Sequence, residues 1–187
     1  AMVGGAGFWT DRRTGQVNMA VQPRHPGSAL KPFLWATAME RGLTLASPLL
    51  DVPSAFVTPE GPYMPLNYDR RFHGVVPARV AIASSYNIPA VRLLDQVGQD
   101  RFLTMLHRAG LTTLTEADVY GLALALGAGG VRLLDLTAAY GALANGGALI
   151  QPRVILRVRD RTGRVLYQAP EPEPQRVLSE QHAYLLG

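Results

Sequence analysis

The segment Pro26-Gly27-Ser28-Ala29-Leu30-Lys31-Pro32 sets a hydroxyl and an amine three residues apart where a helix is expected to begin. On a helix, a spacing of three puts both side chains on one face, so the amine can reach the hydroxyl. A serine hydroxyl is a weak nucleophile at neutral pH and needs a base, and a lysine whose pKa is lowered by desolvation can serve as one. The positive end of the helix favours the neutral amine and stabilises an oxyanion forming near Ser28. Composition singles out the same residue. Of 18 basic residues, 17 are arginine and the one lysine is Lys31. Arginine cannot give up its proton in a protein, so a bias toward arginine that spares this position points to a need for a deprotonatable amine.

A second group follows 57 residues after Ser28, in Ser84-Ser85-Tyr86-Asn87-Ile88-Pro89. A Ser-x-Asn tripeptide at a loop tip can present a hydroxyl that relays a proton to a leaving amine, and an amide that orients both the lysine and a substrate carbonyl. Serine and asparagine are also favoured as helix caps and in turns, so the tripeptide alone leaves that structural reading open.

The elements that must position these groups follow from local pattern. Met2 to Met19 reads as strand, turn and short strand, and Gln22 to Gly27 as a loop that its two prolines keep from being helical. Leu30, Phe33, Leu34, Ala38 and Met39 recur at helical spacing from Ser28 to Arg41, with Pro32 in the first turn and Gly42 as the C-terminal cap. Ser47 to Gly74 is proline-rich with little periodicity, and is expected to be an ordered, irregular connection. Short helices are expected at Val76 to Ser85, Ile88 to Val97 and Asp100 to Ala109. An apolar helix should run from Leu133 to Ala144, ended by Asn145-Gly146-Gly147. Arg153 to Tyr167 alternates around Asp160-Arg161-Thr162-Gly163 and predicts a hairpin. Pro170, Pro172 and Pro174 form a spacer, and Ser179 caps a final helix. The chain thus divides into a sheet segment (1–27), a mainly helical part with the motifs (28–150), and a hairpin with the start of a helix (151–187) of one incomplete domain.

Taken together, Ser-x-x-Lys, the later Ser-x-Asn, their flanks and Ala138-Ala139-Tyr140-Gly141-Ala142-Leu143-Ala144-Asn145-Gly146-Gly147 resemble the transpeptidase domain of class A, bifunctional penicillin-binding proteins. Gly15-Gln16-Val17-Asn18 and Phe72-His73-Gly74 lean toward the type called 1C. The resemblance implies an α+β fold, shared with the serine β-lactamases, in which an antiparallel sheet is flanked by helices with a mostly helical subdomain. It implies that Ser28 attacks D-Ala-D-Ala stem peptides of peptidoglycan to form an acyl-enzyme, and that β-lactams do the same. Lys31 would be the base and Ser85 the proton carrier. Asn87 would hold lysine and substrate, and the Ser28 N–H would give half of an oxyanion hole. It further implies a bacterial cell-envelope location at the outer face of the cytoplasmic membrane, and a membrane-anchored parent with an upstream glycosyltransferase domain. The family's third element, Lys-Thr-Gly or Lys-Ser-Gly, has no lysine to supply it and is expected after Gly187. Arg13 to Gly15 and Arg161 to Gly163 follow Asp in turn signals and are read as hairpin turns instead.

Composition narrows the rivals. Hydrophobic residues at 48% and charged residues at 17% lie in the globular range. A net charge of +4 raises nucleic acid or another anionic polymer as a partner, but the arginines are scattered and no nucleic-acid site is expected. There is no cysteine, and His73, His107 and His182 lack paired ligand spacing, so neither metal nor cofactor is expected. His25, three residues before Ser28, is redundant as a base beside the lysine. Trp9, Phe33 and Trp35 are expected in the core, while Tyr63, Tyr68 and Phe72 are candidates to line a cleft. A serine β-lactamase or D,D-carboxypeptidase shares the nucleophile and base, and a non-enzymatic basic envelope-binding module is the rival outside enzymology.

Overall fold

Residues 5–11, 13, 15–59 and 61–187 are described by the structure, a computed structural model. Gly27, at a φ of +59°, turns the chain into one 3-10 turn, Gly27–Leu30, that runs directly into α1 (Lys31–Met39). Pro32 sits in the first turn, where its missing N–H has no intrahelical partner to lose. The helix ends where the sequence indicates. Gly42, at a φ of +96°, lets the Leu43 N–H return to Ala38 O (3.1 Å) and its own N–H reach Met39 O (3.0 Å), which is a Schellman closure. Helix α1 is the axis of the core. Phe33, Leu34, Trp35 and Ala36 are fully buried, and the helix packs on four others.

The connection that follows is more regular than its sequence suggests. It holds β1 (Pro48–Asp51), the hairpin of β2 (Phe56–Thr58) and β3 (Gly61–Tyr63), and the start of β4 (Gly74–Pro77), which pairs antiparallel with β1. Strands of three or four residues between prolines are too short to show a period of two, which is why they were not legible. Because β4 takes up Val76 and Pro77, α2 (Ala78–Ala83) begins later than expected. Helices α3 (Asn87–Val97) and α4 (Gln99–Arg108) fall within one residue of expectation and meet at Gly98. They pack on α1 through Ala90, Val91, Leu94, Phe102, Met105 and Leu106.

After α5 (Ala117–Tyr120) and a 3-10 stretch, Gly121–Leu126, comes α6 (Leu133–Ala144), with the bounds its apolar run predicts. Strand β5 (Ala148–Leu149) is followed by the hairpin of β6 (Arg157–Arg159) and β7 (Val165–Gln168). Strand β8 (Gln175–Arg176) returns to pair with β5, and α7 (Glu180–Leu186) closes the chain. The Ser179 hydroxyl caps α7 by accepting from the His182 N–H at 3.2 Å. At the β6–β7 turn, Asp160 Oδ1 accepts from the N–H groups of Thr162 (2.9 Å) and Arg164 (3.0 Å), so Arg161-Thr162-Gly163 is a turn, as read.

The fold is α+β and every strand pairing is antiparallel. Among the described residues the strands form four separate two-stranded ladders. Two expectations need correction. Residues 5–19 are not strands where they are described, because their backbone bonds close locally: Phe8 N–H on Gly5 O, Asp11 N–H on Gly7 O and Gly15 N–H on Asp11 O. The Met2-Val3-Gly4 portion, with Arg12 and Thr14, lies outside the described residues. Trp9 is not core. It is 86% exposed and meets Phe8 edge-on, whereas Phe33 and Trp35 are buried as expected. The segment before Ser28 is held instead by a two-residue bridge between Arg24 and Val131.

One close approach fixes the turn that carries Ser28. Gly127, at a φ of +82°, lies so near Gly27 that a Cβ built on it would stand 2.2 Å from Gly27 O and 2.3 Å from Gly27 N. Gly163 shares the positive φ, at +86°, but has open space around it. Gly163→Ala should cost about 1 kcal/mol from backbone strain alone. Gly127→Ala adds overpacking against backbone and should cost roughly 3 kcal/mol or more. Denaturant unfolding of the two variants tests this, and equal losses would show that the Gly27–Gly127 contact is dispensable.

Candidate active site

The Ser28 side chain is exposed on the 3-10 turn ahead of α1. Its N–H precedes the first intrahelical bond and has no acceptor among the described residues, as is usual for the first positions of a helix. Two contacts hold the turn. Tyr140 of α6 donates its hydroxyl to Ala29 O at 2.9 Å and meets Phe33 edge-on, with centroids 5.6 Å apart. Gly127 packs on the backbone of Gly27. Burial raises the Tyr140 pKa, so the phenol stays a donor at neutral pH.

Lys31 begins α1 and is 1% exposed, one of the largest fully buried side chains in the molecule. Its Nζ donates to four oxygens of the loop between α2 and α3: Ser85 O (2.6 Å), Asn87 Oδ1 (2.8 Å), Ser85 Oγ (3.2 Å) and Tyr86 O (3.2 Å). Burial lowers the Lys31 pKa from 10.5 to about 8. The four oxygens act the other way, since they favour the charged form. With a pKa of about 8, roughly a tenth of the amines are neutral at pH 7.

The Ser-x-x-Lys spacing leads one to expect a contact between amine and hydroxyl, and no hydrogen bond joins Lys31 to Ser28 among the described residues. The amine's hydrogen bonds go to the loop oxygens instead. An ammonium has three donors and no lone pair, all three are drawn toward the loop oxygens, and a serine O–H can donate only to a neutral amine. A 3-10 turn nevertheless eclipses positions i and i+3, so both side chains lie along one edge.

The structure brings Ser85 and Asn87 to this amine, and the cap reading of the tripeptide does not describe them. Tyr86 occupies the cap position of α3 with no side-chain cap bond, and Asn87 is the first residue of the helix. Ser85 adopts a φ of +55°, one of two non-glycine residues in the left-handed region among those described. That conformation lets one residue offer both carbonyl and hydroxyl to Lys31. Ser28 and Ser85 are thus exposed while the amine that Ser85 contacts is buried one turn after Ser28.

A cleft of about 720 Å³ lies elsewhere, between the β2–β3 hairpin, Asp95 and Gln99, and Asp118 to Ala123. Tyr63 lines it, while Tyr68 stands free in solvent and Phe72 is largely exposed.

With the geometry in place, comparison with known proteins is informative. A family profile described as "Penicillin binding protein transpeptidase domain" matches residues 1–186. The chain belongs to that family. It is 40% identical to penicillin-binding protein 1C of Escherichia coli over 147 residues, covering 78% of this chain and 19% of that protein. To penicillin-binding protein 1A of Pseudomonas aeruginosa it is 34% identical over 175 residues, 92% of this chain and 21% of that one. The crystal structure of penicillin-binding protein 1A from Haemophilus influenzae superposes with a TM-score of 0.81 at 32% identity, covering 91% of this chain and 30% of the other. These are class A types. The chain spans about a fifth of the length of the curated relatives it matches.

Several residues that shape this site were not found by sequence reasoning. Buried Asp51 and Asn67 with half-buried His73 form a hydrogen-bonded group that reaches Asn87, and Tyr140 and Gly127 brace the Ser28 turn. His73 was weighed only as a metal ligand. It instead pairs with Asp51 Oδ2 through Nδ1 at 2.6 Å and stacks on Tyr86, with centroids 4.1 Å apart. The Phe72-His73-Gly74 and Ala138 to Gly147 stretches carried family likeness, which was the available signal for His73 and Tyr140.

The lowered pKa of Lys31 has a consequence for stability. Between pH 8 and 10.5 the unfolded chain holds a proton at this site that the folded chain has lost, so this group makes stability rise with pH over that window. Below pH 8 both states are charged and the full cost of burying the ammonium is present. Compared with Lys31→Met, the parent should gain up to roughly 3 kcal/mol between pH 7.5 and 10.5, measured by urea unfolding at each pH. A difference that does not change with pH would show that the amine is not destabilised by burial.

Proposed function

We propose that the domain is a peptidoglycan D,D-transpeptidase acting through an acyl-enzyme on Ser28. One observation carries the reading: the chain's single lysine is buried one 3-10 turn after an exposed serine, with its amine directed at the hydroxyl, carbonyls and amide of the Ser-x-Asn loop. In its neutral form Lys31 accepts the Ser28 proton as Oγ bonds to the carbonyl carbon of the penultimate D-Ala. The Ser28 N–H faces the oxyanion that develops. The proton passes from Lys31 through the Ser85 hydroxyl to the nitrogen of the terminal D-Ala, which leaves as the C–N bond breaks. An ester on Ser28 results. The amine of a second stem peptide then attacks that ester, loses its proton to Lys31, and returns Ser28 as a hydroxyl. Asn87 keeps the lysine aligned through both halves and contacts the substrate amide.

A β-lactam enters by the same attack, and its ring opening leaves the leaving nitrogen tethered, so the ester persists. The class A resemblance supports a location at the outer face of the cytoplasmic membrane in the bacterial cell envelope, in a longer, membrane-anchored protein with a glycosyltransferase domain. A β-lactamase or D,D-carboxypeptidase would differ in using water as acceptor. The binding-module alternative draws on a net charge of +4 but leaves the buried lysine without a role.

Penicillin labelling of the full chain, followed by peptide mass mapping, should place the adduct on Ser28 and on no other hydroxyl. An adduct elsewhere overturns the assignment. Lys31→Arg keeps the charge but cannot deprotonate, so acylation should fall at least ~100-fold. Ser85→Ala and Asn87→Ala should each slow acylation per folded molecule, with Ser84→Ala as the unaffected control. Release of penicilloate within seconds would identify a β-lactamase instead.

A further inference from the structure

The Ser-x-Asn loop does not hold itself in place. Asn87 is fixed at three points, two of them from one neighbouring dipeptide: its N–H donates to Asn67 Oδ1 at 2.8 Å and its Nδ2 donates to Leu66 O at 2.8 Å. The third point is Lys31 Nζ. Asn67, 4% exposed, is fixed in turn by Asp51, the last residue of β1, whose carboxylate is fully buried. Asn67 Nδ2 donates to Asp51 Oδ1 (2.8 Å) and Oδ2 (2.9 Å), and also to Arg71 O (2.8 Å). Asp51 Oδ2 further accepts from the His73 N–H (2.9 Å) and pairs with His73 Nδ1, while His73 Nε2 lies 3.2 Å from Asp69 and the ring stacks on Tyr86.

The order of donors and acceptors leaves no freedom at position 67. A carboxylate can only accept and a backbone N–H can only donate, so the residue between Asp51 and Asn87 must donate on one side and accept on the other. Asparagine does both at this length. Among the described residues, the two non-glycine residues with left-handed backbone, Arg70 and Ser85, lie in the two segments that this asparagine joins. Strained residues of that kind persist only where surrounding contacts over-determine them.

We infer that Asp51 and Asn67 are positioning residues for Lys31, acting through Asn87 and the strained Ser85 turn. Neither touches the amine. Asp51 orients the Asn67 amide, Asn67 pins the start of α3, and the pinned loop keeps its oxygens around Lys31 and water away from it. His73 stacks a second arm of the same anchor on Tyr86, whose carbonyl also accepts from the amine. The inference rests on Lys31 being the base of the proposed reaction.

The test is the pH dependence of penicillin acylation in the full chain, normalised to folded protein, for the parent, Asn67→Asp, Asp51→Asn/Asn67→Asp and Lys31→Arg. Asn67→Asp is isosteric but sets two carboxylates face to face. Its loop should loosen, water should reach Lys31, the rising limb of the profile should move from near pH 8 toward 10.5, and the rate at pH 7 should fall at least ~10-fold. The double variant restores a donor between the two positions, since the amide at 51 donates to the carboxylate at 67, which still accepts from the Asn87 N–H, while Arg71 O loses its donor. It should move the limb back toward pH 8 and raise the rate at pH 7 at least ~threefold above that of Asn67→Asp. An Asn67→Asp profile that matches the parent overturns the inference, as does a double variant no better than the single one. If Lys31→Arg acylates as fast as the parent, the base assignment itself fails, an outcome separate from either of these.

Discussion

The amine of Lys31 is buried at the start of the core helix, and much of the site follows from what a buried ammonium requires. Water is absent, so oxygen must come from protein, and a lysine at the head of α1 can obtain it only from a segment that crosses the helix end. The Ser85–Asn87 loop is that segment. Its left-handed serine, its unused helix-cap position and the asparagine that opens α3 all make sense as ways of turning oxygens inward. A solvated lysine would need none of them and would keep its ordinary pKa. The conflict between desolvation, which expels the proton, and the ring of acceptors, which retains it, leaves the amine near the middle of the range where a base is useful.

The same constraint explains why the site is divided between two layers. Ser28 and Ser85 are exposed and can meet a substrate, whereas Lys31, Asn67 and Asp51 lie below them in a layer that a substrate does not enter. The lower layer is a chain of hydrogen bonds from one buried charge to another through two amides, Asp51 to Asn67 to Asn87 to Lys31. Lys31 is compensated without a direct ion pair, its partners being neutral oxygens, so it remains free to lose its proton. The upper layer rests on backbone contacts, since Gly27 packs on Gly127 and Ala29 is held by Tyr140.

Features set by neighbours in sequence were legible beforehand. Pro32 and Gly42 bracket α1, Ser179 caps α7, and Asp160 with Gly163 closes a hairpin, because each is a local bargain between one residue and the backbone beside it. Lys31 stood out by being the only lysine. What could not be read were contacts between positions far apart with no periodicity. Asp51 meets Asn67 and Asn67 meets Asn87 across proline-rich sequence, and Tyr140 reaches Ala29 from 111 residues away. Trp9 misled for the opposite reason. A large apolar side chain suggests burial, but burial needs a partner surface, and the locally closed turns of residues 5–11 provide none.

In the mechanism we propose, the Lys31 amine titrates near pH 8 and its neutral form is the one that reacts. Because the 187 residues contain a single lysine, incorporation of [13Cε]lysine yields one resonance from this region, and its chemical shift followed against pH gives the amine's titration directly. The midpoint should lie near 8 and should coincide with the rising limb of penicillin acylation measured on the same protein. A midpoint at the ordinary lysine value of about 10.4, or an acylation limb that does not follow the resonance, would contradict it.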